Sequence, residues 1–202
     1  MSAPLPADPR WLVFALVAAA FTNIYLTQPV LPVLAEEFAV DAATASLSVS
    51  ATVLGIALAN LPFGRLADRH PLRPLIVIGA AMVALAGLAC ALADHFAWLV
   101  AGRFVQGLFI PALTTCVAAY LANTLPVERL NVVMGAYVSA TVVGGLGGRL
   151  LGGFLHPPLH WRYAFVSAAV LLALAALAAA RGLPGVTARP HHPEGEVGTL
   201  VL

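Results

Sequence analysis

The chain has 202 residues, of which 61% are hydrophobic and only 9% are charged, and its formal net charge is +1. A soluble domain is typically about 45–50% apolar and about 25% charged, so this sequence carries more apolar surface than one soluble core can bury. The near-neutral charge offers no electrostatic basis for binding nucleic acid. The composition therefore predicts a protein whose main solvent is the lipid bilayer.

Six apolar segments are long enough to cross a membrane. A helix rises 1.5 Å per residue, so about 20 residues span the hydrocarbon, and helices satisfy their own backbone groups in lipid. The predicted spans are 11–35, 43–64, 75–93, 97–122, 131–155 and 161–180. The first span is longer than the roughly 7–15 apolar residues of a signal peptide. Because the connections are short, we predict an all-α bundle of six antiparallel transmembrane helices over residues 11–180.

The arginines predict the orientation of this bundle. One side carries seven of them: Arg10, Arg65, Arg69, Arg73, Arg129, Arg181 and Arg189. The other side carries only Arg162, and two arginines lie within spans. Cytoplasmic loops of membrane proteins have an excess of basic residues. We therefore expect residues 1–10 to be a cytoplasmic N-terminus and residues 181–202 to be a cytoplasmic linker or tail.

Polar side chains lie near the middle of the first span. Asn23 and Thr27 share one helix face, and Tyr25 and Gln28 share another. Two prolines follow and should bend or loosen the outer part of the helix. One interpretation is that these groups form hydrogen bonds between helices. The other is that one of the two stripes lines a cavity for a small-molecule substrate.

Arg103 lies about five residues inside the fourth span, with Gln106 on the same helix face. It either extends its side chain to the lipid headgroups or faces the bundle interior as a functional cation. All nine acidic residues lie at span ends, in loops or in tails. Neither Arg103 nor Arg149, in the fifth span, therefore has an evident buried counter-charge within this chain.

The fifth span is rich in glycine. Gly144, Gly148 and Gly152 are spaced by four residues, and Gly135 and Gly153 lie near the two ends of the span. This spacing allows helix backbones to pack in contact. It is equally compatible with a deformable helix in a moving bundle.

The sequence gives no sign of an enzyme. It contains neither His-Glu-x-x-His nor Gly-x-Ser-x-Gly, and no two histidines share a helix at metal-ligand spacing. Cys90 and Cys116 lie in apolar runs and are interpreted as small core residues. We predict no catalytic residue, no metal site and no cofactor.

The segment between the second and third spans has the densest charge in the chain. Gly64, Asp68, Arg69 and Arg73 match the pattern Gly-x-x-x-Asp-Arg-x-Gly-Arg-Arg/Lys, in which the second glycine and the following arginine are here replaced by proline and leucine. A proline can still form the turn but removes a backbone donor.

Two further motifs follow in order. The fourth span matches Leu-x-x-x-Arg-x-x-Gln-Gly, and the five glycines of the fifth span match Gly-x8-Gly-x3-Gly-Pro-x2-Gly-Gly, with Arg149 in place of the proline. Together the three motifs resemble the N-terminal half of a major facilitator superfamily transporter of the drug and sugar proton-antiporter type.

The resemblance implies a 12-helix fold whose two six-helix halves rock around a midplane site. It implies proton-coupled efflux of small organic solutes, such as drugs or sugars, across a bacterial inner membrane. The expected partners are the lipid bilayer, the solute, protons and a second six-helix half that is absent from this chain. A truncated fragment without transport activity and a half-size transporter acting as a homodimer are the alternatives.

The resemblance also implies roles for residues. The charged segment, Gly64, Asp68, Arg69 and Arg73, becomes a gate loop that latches against the other half. Arg103 and Gln106 take part in proton coupling. The antiporter interface is formed by Gly135, Gly144, Gly148, Arg149, Gly152 and Gly153. The substrate cavity is expected to be lined by Asn23, Tyr25, Thr27 and Gln28.

Overall fold

The computed structural model describes residues 10–185, except for the side chains of residues 10 and 127, and the regular secondary structure of this part of the chain is entirely helical. The seven α-helices are α1 Arg10–Tyr25, α2 Leu31–Glu37, α3 Ala42–Arg69, α4 Leu72–Ala91, α5 Phe96–Thr124, α6 Val127–Leu155 and α7 Arg162–Gly182. Six helical segments are long and apolar enough to cross a membrane, with α1 and α2 together forming the first. The predicted all-α fold with six spans is confirmed.

Several helices extend beyond the predicted spans. The α3 helix continues to Arg69, so only His70 and Pro71 connect it to α4. The predicted spans end where the sequence becomes polar, at the edge of the lipid, whereas the helices continue their backbone hydrogen bonds into water. The predicted N-terminal segment 1–10 and tail 181–202 lie outside the described residues, apart from residue 10 and residues 181–185.

The first span is broken, as its prolines predicted. The α1 helix ends at Tyr25, a 3₁₀ turn covers Gln28–Val30, and α2 begins at Leu31. Pro29 has no N–H group to donate to the carbonyl of Tyr25, four residues earlier. The last regular hydrogen bond of α1 joins Leu26 N–H to the Thr22 carbonyl at 3.1 Å. The break therefore leaves carbonyls of the last turn of α1 available to other donors.

Asp41 caps the next helix. The backbone N–H of Thr44 donates to Oδ1 of Asp41 at 2.6 Å, which satisfies one free donor of the first turn of α3. The same hydrogen bond lowers the pKa of the Asp41 carboxyl below its ordinary value.

The helices pack unevenly. The α5 helix lies between α3 and α4, and α1 lies between α6 and α7. The α4 and α7 helices pack against each other, whereas α3 and α6 are the least buried spans. This arrangement leaves one broad surface formed by α3, α5, α1 and α6.

The two sides of the bundle differ in polarity. A groove between α4 and α7 is lined by aliphatic residues alone, including Val77, Leu85 and Leu177. On the opposite side, the Thr115 hydroxyl of α5 donates to Asn60 Oδ1 of α3 at 3.1 Å. The α4–α7 side suits lipid, whereas the opposite side displays polar groups within the spans.

The side of α6 that carries Arg149 also belongs to this polar surface. Tyr137, Thr141, Gly145 and Arg149 follow at four-residue intervals along α6. The Tyr137 hydroxyl donates to a backbone carbonyl of α5 at 3.4 Å. The row contacts α5 at Tyr137, and it contacts the first span at Gly145 and Arg149. We call the surface displaying Tyr25, Gln28, Asn60, Thr115 and Arg149 the polar face.

Candidate functional site

Arg103 is fully buried inside the bundle. Its Nε donates to the Ser48 carbonyl of α3 at 3.2 Å. Its Nη1 donates to the Asn23 carbonyl at 2.8 Å and to Gln106 Oε1 at 2.6 Å. Its Nη2 donates to the Ile24 carbonyl at 2.9 Å. Of the two interpretations of Arg103, the structure shows the inward-facing one.

The break in the first span explains why these acceptors are available. Asn23 and Ile24 lie in the last turn of α1, where carbonyls have no helical N–H partner. The negative end of the helix dipole favours a cation at the same place. Within residues 10–185, no carboxylate lies within salt-bridge distance of Arg103. Its charge is therefore stabilised by neutral dipoles.

Asn23 and Gln106 extend this network. Gln106 Nε2 donates to Asn23 Oδ1 at 3.1 Å and to the Val83 carbonyl of α4 at 3.3 Å. Asn23 Nδ2 donates to the Ala19 carbonyl at 2.9 Å and to the Ala168 carbonyl of α7 at 3.4 Å. Both side chains are fully buried. The network thus joins α1, α3, α4, α5 and α7 around one fixed positive charge.

Two glycines bring α3 close enough to reach Arg103. A Cβ on Gly55 would lie 2.5 Å from the Phe104 carbonyl oxygen, and one on Gly107 would lie within 3 Å of the Thr52 backbone. Real Cβ atoms essentially never approach other atoms so closely. The contact between the two backbones places the Ser48 carbonyl beside Arg103.

The structure divides the predicted cavity residues into two groups. Asn23 and Thr27 are buried, and the Thr27 hydroxyl has no hydrogen-bond partner among the described residues. Tyr25 and Gln28 are partly exposed on the polar face, next to Arg149. The helical spacing in the sequence correctly assigned the two pairs to different faces. Only the structure shows which face is buried.

The glycines of α6 pack against α1. Cβ atoms added to Gly144, Gly148 and Gly152 would collide with the backbones of Ala18, Thr22 and Leu26, respectively. The two helices therefore touch once per turn over three successive turns, as the spacing of the glycines predicted. Gly135 has open space around it, and a Cβ on Gly153 would make only an ordinary contact with Pro29.

The predicted gate residues do not form one cluster. Gly64, Asp68 and Arg69 lie in the last turns of α3, and the side chains of Asp68 and Arg69 are exposed. Arg73 lies in the first turn of α4 and donates to the carbonyl of Ala180, near the end of α7. Arg73 therefore joins two helices of this bundle, whereas Asp68 and Arg69 project from it.

A second polar cluster, at the other end of the bundle, was not predicted. Glu37 accepts a hydrogen bond from the indole N–H of Trp161 and pairs with Arg162 Nη1 at 3.2 Å and His160 Nε2 at 3.3 Å. Arg162 Nη2 also donates to the Ala93 carbonyl at 2.7 Å. These contacts connect α2, the α4–α5 turn and the start of α7. The sequence carried no motif for them, because the partners are far apart along the chain.

Comparison with known proteins places this architecture in a family. The family model described as Major Facilitator Superfamily matches residues 13–200. The MFS-type transporter YybF of Bacillus subtilis (strain 168) is 30% identical over 171 residues, which cover 83% of this chain and 42% of YybF. The inner membrane transport protein YnfM of Escherichia coli (strain K12) is 27% identical over 154 residues, covering 76% of this chain and 37% of YnfM. The chain thus spans less than half the length of these relatives.

A solved structure shows the same fold. A bacterial homologue of the human lysosomal transporter Spinster, in an inward-facing and unoccupied conformation, superposes with a TM-score of 0.80 at 18% sequence identity. The superposition covers 98% of this chain and 47% of that protein. With six apolar helices and a match along most of its length, this chain is a multi-pass membrane protein that belongs to the Major Facilitator Superfamily.

Proposed function

We propose that this chain forms the N-terminal half of a secondary active transporter that exports small organic solutes, such as drugs or sugars, in exchange for protons. We place it in a bacterial inner membrane with both termini in the cytoplasm. Family membership and the names of two relatives, which are transport proteins, support the general activity. The arginine bias supports the orientation. The glycine motif of α6 supports the antiporter type.

The observation that carries the proposal is the Arg103 network at the break in the first span. Transporters of this kind build their sites near the bilayer midplane from discontinuous helices, whose free carbonyls and dipoles bind charge. Here the break supplies two of the four acceptors of Arg103. The fixed charge ties the broken helix to α3 and α5, so movement at the break is coupled to both.

Proton coupling also requires a group that titrates. Within this chain no acidic residue occupies the middle of a span. The coupling carboxylate therefore comes from a second bundle packed on the polar face. The field of Arg103 favours the ionised form of that carboxylate, so Arg103 sets the balance between its protonated and ionised states. Gln106 holds the guanidinium in place.

The gate residues have a separate role in this proposal. Asp68 and Arg69, exposed at the end of α3, latch against the same second bundle.

The test is proton antiport in inverted membrane vesicles that contain the protein encoded by the complete gene. Solute addition should release protons from acidified vesicles with wild-type protein. Arg103→Ala should reduce this release at least tenfold, because it removes the charge and leaves four buried acceptors without a donor. Arg129→Gln removes an exposed arginine at the start of α6 and serves as the matched control. Equal proton release by wild type and Arg103→Ala would show that Arg103 has no role in coupling.

A half-size transporter acting as a homodimer is the second candidate, and the polar groups displayed within the spans favour it equally. In that case a second copy of this chain covers the polar face. Measuring the mass of the purified protein in detergent distinguishes the two. A protein of twelve spans supports the two-half transporter, a dimer of six-span chains supports the second candidate, and a six-span monomer without transport identifies a fragment.

A further inference from the structure

Arg149 is an exposed cation within a membrane-spanning helix. It lies six residues before the end of α6 at Leu155, which places it about 9 Å inside that end. The nearby exposed residues of α6 are aliphatic: Val142, Val143, Leu146 and Leu150. Charged side chains at such positions face a water-filled cavity or an anion, because lipid cannot solvate them. Lipid chains alone would not solvate the charge of Arg149, so water or an anion must face it.

Its guanidinium is held in one orientation. Nε donates to Gln28 Oε1 at 2.9 Å, and Nη1 donates to the Gly145 carbonyl at 3.3 Å. Cζ lies 4.2 Å from the centre of the Tyr25 ring, which is backed by Phe21 with its ring centre 6.3 Å away. Stacking on an aromatic face together with hydrogen bonds at two nitrogens fixes the plane of the guanidinium before a ligand arrives.

A glycine provides the space for this stack. A Cβ on Gly145 would lie 3.1 Å from Cδ2 of Tyr25 and 3.6 Å from Nη1 of Arg149. An alanine at this position would press on the Tyr25 ring, and a longer side chain would also reach the guanidinium. Gly145 belongs to neither the Gly144–Gly148–Gly152 row nor the backbone contact with α1, so its role here is separate from helix packing.

The charge of Arg149 is not neutralised within residues 10–185. No carboxylate of this part of the chain lies within salt-bridge distance, and Nη2 donates to no protein acceptor there. Arg103 differs, because it is buried and all three of its nitrogens donate. The open donors of Arg149 lie on the polar face. One positive charge balances one carboxylate, whereas a dianion would leave a net negative charge within the membrane.

We propose that Arg149, Tyr25 and Gln28 form the recognition site for the carboxylate of an organic anion that carries one negative charge. This inference rests on the proposed transport function and narrows its substrate class. The open N–H groups of Nη1 and Nη2 form two parallel hydrogen bonds with the carboxylate oxygens, as arginine does in bidentate pairs. Tyr25 and Gln28 position the guanidinium. An uncharged or cationic solute forms no ion pair with Arg149, so we expect it to bind more weakly.

Binding to the purified protein from the complete gene tests the proposal without relying on transport. Benzoate, hexanoate and lactate are compared by calorimetry with their uncharged amides. We expect the acids to bind at least tenfold more tightly than the amides. Arg149→Gln should weaken binding of the acids by about 10–100-fold, because it removes a charge-assisted pair. Arg149→Lys should restore part of the affinity, because lysine keeps the positive charge but lacks the two parallel N–H donors of the guanidinium. Arg129→Gln, on the same helix, should bind like wild type.

Three results would overturn the proposal. They are equal binding of acids and amides, undiminished binding of acids by Arg149→Gln, and no binding of acids by wild type. In the last case, a lower thermal stability of ligand-free Arg149→Gln than of Arg129→Gln would show that Arg149 stabilises the protein instead of binding a ligand. Failure of the transport proposal is distinguishable. If the protein binds acids through Arg149 but does not transport them into proteoliposomes, the recognition site is supported and the proposed transport activity is contradicted.

Discussion

Arg103 and Arg149 show two ways of keeping an arginine within a membrane-spanning helix. Arg103 is buried, and backbone carbonyls together with Gln106 take up its donors. Arg149 is exposed, and Tyr25 and Gln28 orient it while leaving donors open. The first arrangement fixes a charge in the core of the bundle. The second presents a charge to whatever covers the polar face.

Glu37 offers a prediction at the residue scale. Glu37→Ala should lower stability by about 1–3 kcal/mol, because it leaves the N–H of the fully buried Trp161 without an acceptor. The partly exposed pair with Arg162 adds little to this. Glu37→Gln should retain most of the stability, because its amide oxygen still accepts from the indole. Thermal unfolding in detergent is the measurement.

The neighbouring Glu36 provides the control for this prediction. Its side chain is exposed, so Glu36→Ala should leave the unfolding temperature unchanged. If Glu36→Ala and Glu37→Ala had equal effects, the cluster around Trp161 would contribute nothing specific to stability.

At the scale of helices, the contact between α1 and α6 depends on the absence of side chains. Gly144, Gly148 and Gly152 let α6 lie directly on the α1 backbone. This contact also brings Arg149 beside Tyr25 and Gln28, so the glycine row positions the proposed site. The resemblance assigned these glycines to the antiporter interface. Here they join two helices of the same bundle.

Replacing glycine by alanine at two positions of α6 tests this contact, because Gly148 lies within it and Gly135 lies outside it. Gly148→Ala should lower the unfolding temperature, because the new Cβ would lie 2.5 Å from the Thr22 carbonyl oxygen. Gly135→Ala should leave it unchanged or raise it, because the site is open and alanine favours helix by about 0.5–1 kcal/mol. Thermal unfolding of the two variants provides the comparison. Equal effects would contradict the close contact.

At the scale of the whole molecule, the bundle has an apolar side at α4 and α7 and a polar face opposite. A groove lined only by aliphatic side chains suits lipid chains. The hydrogen-bonded pair Asn60 and Thr115, together with Arg149, suits water or a second bundle. If the proposed transport function holds, this difference predicts that the polar face lines the pathway of the solute.

Cysteine labelling tests this assignment in the protein from the complete gene. Asn60→Cys on the polar face should react with N-ethylmaleimide, because water allows the thiolate to form. Leu85→Cys in the apolar groove should remain unlabelled in the same membranes. The native Cys90 and Cys116 are buried and should contribute little background. Faster labelling at Leu85→Cys than at Asn60→Cys would reverse the assignment of the two sides.

The sequence alone determined the six spans, the break in the first span, the superfamily and the close packing of the fifth span. The superfamily was identified from the resemblance of three motifs, and the other features follow from local chemistry. Lipid requires long apolar helices, Pro29 removes a backbone donor, and glycines at four-residue intervals share one helix face. The spacing of Asn23 and Thr27 against Tyr25 and Gln28 also separated a buried face from a partly exposed one.

Only the tertiary structure decided what each charge contacts. Arg103 is held mainly by backbone carbonyls, which every residue possesses, so no side-chain pattern in the sequence could reveal them. Trp161 and Glu37 are separated by 124 positions, and their contact depends on how the helices are arranged. Arg149 occupies a position where the motif has proline, and its proposed role follows from the three-dimensional neighbourhood of Tyr25 and Gln28. Side-chain identity specifies helices and their faces, whereas backbone acceptors and distant partners become defined only when the bundle is assembled.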